Sequence, residues 1–260
     1  GDDLRVGATA ITKGTRLGPA HLALCASLDL AAVPVVRSPS VAILATGDEL
    51  RPPGTTAVPG SIPESNTVVL RAMARRAGAT AHARPFVRDD RAATEAAFAQ
   101  ALDESDVLVT IGGVSVGDHD HVRPALEAIG VKLDFWRVAI KPGKPLAIGT
   151  KARPGRRDAI VIGLPGNPAS AMVTFALFGC PLLRALQGDA RPFPPVRRAR
   201  LTKTHGHEPG RLEFARATVG HTDDGQLAVT PLGNQASGAV TSMAHSDALV
   251  MIPADAGNLP

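Results

Sequence analysis

From Ser40 onward, long apolar runs and helix-period segments follow one another in a regular order. "VAILATG" (41–47) is a continuous apolar run, as expected of a strand buried on both faces. "SNTVVLRAMARRAG" (65–78) has helical spacing, with Ser65 or Asn66 as cap and Gly78 as stop. A strand over 79–87, a helix over 91–105 and a buried strand over 106–111 complete a βαβαβ order. Beyond them the pattern predicts a helix over 120–129, strands over 131–140 and 158–164, and a polar loop at 150–158. A long helix over 167–188 has Asn167 as cap and Pro168 in its first turn, where the missing N–H costs nothing, and a kink is expected at Pro181.

The flanks read differently. Residues 1–38 hold an apolar helix candidate over Ala20–Leu30 and the extended "VPVVRSP", and read as the remnant of a preceding domain of a longer protein. After Gly188 the helical period stops, and "RLEFARATV", "QLAVTPL" and "ALVMIP" form short β-like runs between Gly and Asp-Gly turns. The expected fold class is α/β: a three-layer, doubly wound, mostly parallel sheet over 39–188, followed by a small all-β domain over 189–260.

Composition narrows the function classes. A hydrophobic content of 44% in 260 residues supports a real core. The formal charge of +4 would suit nucleic acid, but aromatics are only 3% and Tyr is absent, so stacking platforms are scarce and no nucleic-acid partner is expected. Small anionic substrates are the better reason for locally placed Lys and Arg. No uninterrupted apolar run of membrane-spanning length and no basic-then-apolar leader is apparent, so a cytoplasmic protein without a membrane partner is expected. Cys25 and Cys180 each lie within apolar runs and read as small buried hydrophobes.

Ligands of an open parallel sheet sit at the carboxyl ends of its strands, so the loops after each strand carry the candidate chemistry. These are Thr46-Gly47-Asp48-Glu49, Arg88-Asp89-Asp90, the stretch Gly112 to Asp120, Lys141-Pro142-Gly143-Lys144, and Pro165-Gly166-Asn167-Pro168. Gly112, Gly113 and Gly117 let backbone amides approach an anion, and helices starting near Asp120 and Asn167 would add partial positive charge. Lys141 and Lys144 supply point charges for phosphate or an oxyanion. Glu49, Asp89, Asp118 and Asp120 are hard oxygen donors of the kind Mg²⁺ takes one or two of while bridging to substrate phosphate.

Two alternatives compete for "GGVSVGDHDH". Gly113 to Gly117 spells G-x-S-x-G, the nucleophile elbow of serine hydrolases, with Ser115 as nucleophile and His205, His207, His221 and His245 as late histidines. Asp118 and Asp120 would then place negative charge where an oxyanion must develop, and "KPGKP" and "LPGNP" would have no role. Zinc on His119 and His121 lacks a third ligand nearby.

"TGDEL", "SIPESN", "VRDD", "GGVSVGDHD", "WRVAIKPGKPLAIG" and "LPGNPASA", in this order, resemble the MoeA/gephyrin family of molybdopterin molybdenumtransferases. The likeness extends to both flanks, through "GDDLRVGATAITKGTRLGP" and the C-terminal "GRLEFARATV" to "ALVMIP". The resemblance implies a molybdopterin-binding, MogA-like α/β domain and the last step of molybdenum-cofactor synthesis. In that step adenylylated molybdopterin and molybdate give the cofactor and AMP with Mg²⁺.

It places the functional acids on Glu49, Asp89 and Asp120, with Asp3 from the first domain, and the basic pair on Arg137 and Lys141. Glu49, Asp118 and Asp120 become the metal candidates. Thr46, Gly47, Asp48, Asn66, Gly112, Gly113, Ser115, Gly117, Lys144, Pro165, Gly166 and Asn167 become substrate contacts, joined by Arg211 and Ser237 from the β-domain. Arg137 stands where a lysine is expected, and "PESN" replaces the usual D-S-N, which favours Asn66 over Glu64. The family also implies a homodimer and a molybdopterin adenylyltransferase as upstream partner. A pterin-binding or scaffold module without catalysis is the alternative.

Overall fold

The computed structural model describes residues 3–113 and 121–259, with the side chains of Phe135 and Trp136 outside that description. The chain opens with α1 (Pro19–Ser27), β1 (Ser40–Ala45), β2 (Leu50–Arg51), β3 (Ile62–Pro63), α2 (Asn66–Arg76) and β4 (Thr80–Ala83). It continues through α3 (Arg91–Glu104), β5 (Val107–Ile111), α4 (Val122–Ala128), β6 (Lys132–Arg137), β7 (Ile140–Lys141), β8 (Pro145–Lys151) and β9 (Ala159–Leu164). After α5 (Pro168–Thr174) and α6 (Cys180–Leu186) come β10 (Arg200–Leu201), β11 (Leu212–His221), β12 (Leu227–Pro231), α7 (Val240–Ala244) and β13 (Ala248–Ile252).

The main sheet has the order β4-β1-β5-β9-β8-β6; β8 alone is antiparallel to its neighbours β9 and β6, so β6 runs in the direction of the first four strands. Strand alternation sorts its side chains into two cores. Val41, Ile43, Val107 and Val109 pack with Leu70 of α2, Phe175 and Leu183, whereas Ala42, Leu44 and Leu108 pack with Phe98 and Leu102 of α3 and Leu126 of α4. The three-layer α/β arrangement expected from the periodicity is therefore present.

Local corrections have physical causes. The strand expected over 79–87 stops at Ala83, before Pro85, which has no N–H to donate to a ladder. The strand β8 was not expected, because its first residue, Pro145, ends the "KPGKP" turn; Pro145 opens the strand, where its missing donor is tolerated. Just before Pro181 the long helix widens into a π-helical turn over Phe175–Gly179. Pro181 cannot donate to the carbonyl of Leu177, and Phe175 lies over Gly179 so closely that a Cβ there would sit 2.2 Å from Cδ2 of the ring. Pro168–Leu186 as a whole is long and apolar enough to cross a bilayer by length and composition, although it is not an uninterrupted apolar run and half of that stretch (50%) is buried. Ala169, Ala171, Val173, Phe175 and Leu183 of this segment are core residues.

The second sheet runs β10-β12-β11-β13, and β7 adds to it by parallel pairing with β11. It also carries the short α7, and the C-terminal unit is β-rich.

Asp106, at the entrance to β5, ties that strand to β1. Its carboxylate accepts two hydrogen bonds from Arg37 (2.8 and 2.9 Å), one from the Ser40 amide (2.8 Å) and one from the Ser40 hydroxyl (3.0 Å). Arg37 holds this carboxyl well below the usual carboxylate range, against the upward push of burial and with help from Ser40. A depressed folded-state value means stabilisation that is fully present above the ordinary range and lost as pH falls below it. Asp106→Asn should therefore lower the melting temperature by about 3 °C at neutral pH, a difference that shrinks steadily between about pH 5 and about pH 2. A pH-independent difference in calorimetry would show that the charge is not what matters.

Candidate active site at the carboxyl edge of the sheet

After β1 the chain goes to β4 on one side and then to β5 on the other, so the topology reverses between β1 and β5. That is where an open α/β sheet leaves a crevice. The loops leaving these strands continue the ladder a little further: Thr46 N–H donates to the Ile111 carbonyl (3.0 Å), Gly47 N–H to Val87 (3.1 Å) and Gly112 N–H to Leu164 (3.2 Å). Gly112 has a φ of +87°, and a Cβ there would lie 2.8 Å from the Thr46 carbonyl oxygen, so only glycine lets the two loops meet. Gly143 repeats the device at φ +110°, with a Cβ position 2.3 Å from Oγ1 of Thr174.

These loops surround a cleft of ≈ 830 Å³. Thr46, Gly47 and Glu49 line it from the β1 loop, and Asp89 from the β4 loop. Gly112 and Gly113 follow β5, and Lys141 and Lys144 flank the Pro142-Gly143 turn, whose Lys141–Pro142 bond is cis. Pro165, Gly166 and Asn167 close the wall after β9. Asn66 enters from α2, and Arg211 and Ser237 from the C-terminal unit.

Two candidates stand apart from the lining. Asp48 is exposed and instead accepts the amide of Asp89 (3.2 Å), tying the first two loops together. Arg137 is also exposed, at the end of an edge strand whose pairing slips on either side of Phe135. Ser115, Gly117, Asp118, His119 and Asp120 lie outside the described residues. Further lining residues that loop-by-loop reading passed over are Ser170 and Gln235; each sits within three residues of a singled-out position, which was the available signal.

Two buried oxygen atoms of cleft-lining residues have no hydrogen-bond partner among the described residues. Asn66 Nδ2 donates to the Gly166 carbonyl (2.8 Å), which aims the amide but leaves its buried Oδ1 unpaired. Thr46 Oγ1 is likewise buried and unpaired. Glu64, passed over in favour of Asn66, is spent on structure: its carboxylate accepts the Thr67 amide (2.9 Å) and the Thr67 hydroxyl and so caps α2, leaving Ser65 without a capping bond.

The start of α5 departs from expectation. Asn167 occupies the cap position, but its side chain donates to Ser237 Oγ (3.0 Å) and makes no cap bond. The amides of Ala169 and Ser170 donate to the Ser237 carbonyl (3.0 and 3.3 Å), so this helix N-terminus is bound to the C-terminal unit and does not offer those amides to an anion.

Among the described residues no cluster of three or more His, Cys, Asp or Glu side chains can hold a metal unaided. Glu49 and Asp89 on the cleft wall suit Mg²⁺, which needs only one or two carboxylates when waters and substrate phosphate complete its shell. The late histidines His205 and His207 are both hydrogen-bonded to Glu213, at 3.1 and 2.8 Å. Cys180 is half-buried, and burial pushes its thiol up to about 11, which suits the reading of an inert hydrophobe.

Residues 42–185 match the family model described as "Probable molybdopterin binding domain", and 198–260 match "MoeA C-terminal region (domain IV)". A protein from Bacillus subtilis (strain 168) named molybdopterin molybdenumtransferase is 37% identical over 253 residues, covering 97% of this chain and 57% of that protein. One of the same name from Haemophilus influenzae (strain ATCC 51907 / DSM 11121 / KW20 / Rd) is 34% identical over 260 residues, covering 100% of this chain and 63% of its own length. The chain thus spans about three-fifths of these curated relatives. The crystal structure of the molybdopterin biosynthesis MoeA protein from Pyrococcus horikoshii superposes with a TM-score of 0.79 at 31% identity, over 96% of this chain and 59% of that one. With both family models matched in order along one chain, the protein belongs to the MoeA/gephyrin family.

Proposed function

We propose that the cleft binds adenylylated molybdopterin and molybdate and supports formation of the molybdenum cofactor with release of AMP. The observation that carries this reading is the convergence, in one cleft, of Lys141, Lys144 and Arg211 with Glu49, Asp89, Thr46 and Asn66. The lysines and Arg211 would hold the pyrophosphate and the molybdate oxyanion. Glu49, with Asp118 and Asp120, would hold Mg²⁺, and Asp89 faces the same space. When bound, that ion supplies charge neutralisation at phosphate oxygens.

In this reading the catalytic set is Glu49, Asp89, Asp120, Lys141 and Arg137, although Arg137 does not line the cleft. The α/β unit over 39–188 carries the pterin, and the unit over 189–260 completes the cleft through Arg211 and Ser237. The protein would work as a cytoplasmic homodimer supplied by a molybdopterin adenylyltransferase.

The test is AMP release from adenylylated molybdopterin, measured with and without molybdate and Mg²⁺. Release is expected only with both, and to fall to background on chelation. Turnover indifferent to chelation would remove the role given to the carboxylates. Pterin binding without any AMP release would favour the binding or scaffold module, which has no need of Glu49, Asp89 and Asp120 together.

A further inference from the structure

The carboxylate of Glu213 is 2% exposed and sits directly behind the cleft lysine. β7 and β11 pair in parallel with Lys141 opposite Glu213, and Lys141 Nζ donates to Oε2 at 3.2 Å. Two histidines hold the same carboxylate: His205 Nε2 lies 3.1 Å from Oε1 and His207 Nδ1 lies 2.8 Å from Oε2. An ionised carboxylate only accepts, so each histidine must carry a proton on the nitrogen that faces it. His205 and His207 are two residues apart, as extended backbone requires for two side chains to reach one group, and both are buried. Burial alone would raise the Glu213 carboxyl, but hydrogen bonds from His207, His205 and Lys141 outweigh it and hold it below its usual range. The acid is thus a fixed negative charge paired with the cleft-lining Lys141.

We propose that Glu213, braced by His205 and His207, is the positioning residue that anchors the ammonium of Lys141 at the cleft wall for an anionic phosphate group of the ligand. A lysine side chain has four rotatable bonds, and Lys141 is 37% exposed, so without an anchor its charge would be spread over solvent. The anchor does not cancel the positive charge where a second anion approaches, because the lysine has three donors and Glu213 engages one. The C-terminal unit therefore contributes more than Arg211 and Ser237: it sets where the cationic group of the α/β unit stands. The inference rests on the anion-binding reading of the cleft, and its test separates the two.

The experiment follows acetylation of Lys141 against Lys144 by mass spectrometry, using acetic anhydride, with inorganic pyrophosphate as protecting ligand. In the unaltered chain Lys141 should react more slowly than Lys144, and pyrophosphate should slow it further. In Glu213→Gln, which keeps shape and loses charge, the ratio of Lys141 to Lys144 reactivity should rise by about fivefold, with about fivefold more pyrophosphate needed for half-protection. Glu213→Asp, which restores the charge, should recover more than half of both effects. A purely structural glutamate would not show that recovery. His205→Ala leaves the carboxylate and its lysine in place but removes one brace; it is the variant to read if Glu213→Gln does not fold, and its ratio should rise about twofold. Reactivity of Lys141 unchanged in both Glu213→Gln and His205→Ala overturns the proposal, as does failure of Glu213→Asp to recover. Absence of pyrophosphate protection in the unaltered chain, with the reactivity ratios as expected, leaves the anchor standing and removes the anion-binding reading.

Discussion

Glu49→Gln is expected to slow molybdate-dependent AMP release by about 10²–10³-fold while leaving the KM for the adenylylated pterin within about threefold. The carboxylate lies against the β1 loop, since a Cβ on Gly47 would fall 2.6 Å from its Oε2. The Glu49 carbonyl accepts the Ile62 amide at 2.8 Å, which fixes its backbone in the β2–β3 ladder. Glutamine keeps this backbone and volume, so the change reports the charge alone. If Glu49 serves Mg²⁺, the concentration of the ion at half-maximal rate should also rise by about tenfold, because a charged ligand has become a neutral one. A rate within twofold of the unaltered protein would move Glu49 from the catalytic set to the cleft wall. Asp89→Asn should have a smaller effect on Mg²⁺, because Asp89 is placed by its amide on Asp48 and comes from a different loop.

Much of the fold was legible because β1 and β5 are uninterrupted apolar runs and α2 and α3 have helical spacing between turn residues. What escaped was set by partners distant in the chain. β8 begins at a proline and contains Gly149, and it becomes a strand because it pairs with β9 on one side and β6 on the other. Arg137 illustrates the same limit at the level of a side chain: two shifts of register along β6 break the alternation that would otherwise say which way it points. The loops of the candidate site were legible because each directly follows a strand, and topology then gathers them at one edge.

The Lys141–Glu213 pair was not legible, because "KPGKP" and "GRLEF" meet only through β7 adding to a sheet of the other unit. Nor was the fate of the α5 amides. Helix capping rules point to Asn167, and only the structure shows Ser237 arriving from 70 residues away to take that place.

The largest effect on stability is expected at Arg216, where Arg216→Ala should cost about 3–5 kcal/mol, or roughly 10 °C in melting temperature. This is the bulkiest of the fully buried side chains, at 0% exposure. Nε donates to Ser242 Oγ (3.0 Å), and Nη2 donates to the carbonyls of Asn234 (3.2 Å) and Ala236 (3.0 Å). Burial lowers its guanidinium from the usual range while Glu213 opposes that fall, so a dry charge is kept by its acceptors and a nearby carboxylate. Alanine would leave a cavity and three acceptors unpaired. The Asn234–Ala236 turn would also lose its hold from below, although Gln235 would still bond the backbone of residue 216 through both ends of its amide (2.9 Å each). Since Ser237 follows that turn and carries the bonds to Asn167, Ala169 and Ser170, loss of Arg216 should loosen the contact between the two units before the main sheet melts. Hydrogen exchange would then rise first at the amides of Ala169 and Ser170, with those of β1 and β5 unchanged. A variant that melts at the same temperature, or that exchanges uniformly, would show that the buried arginine is neither a stability determinant nor the link between the C-terminal unit and the cleft.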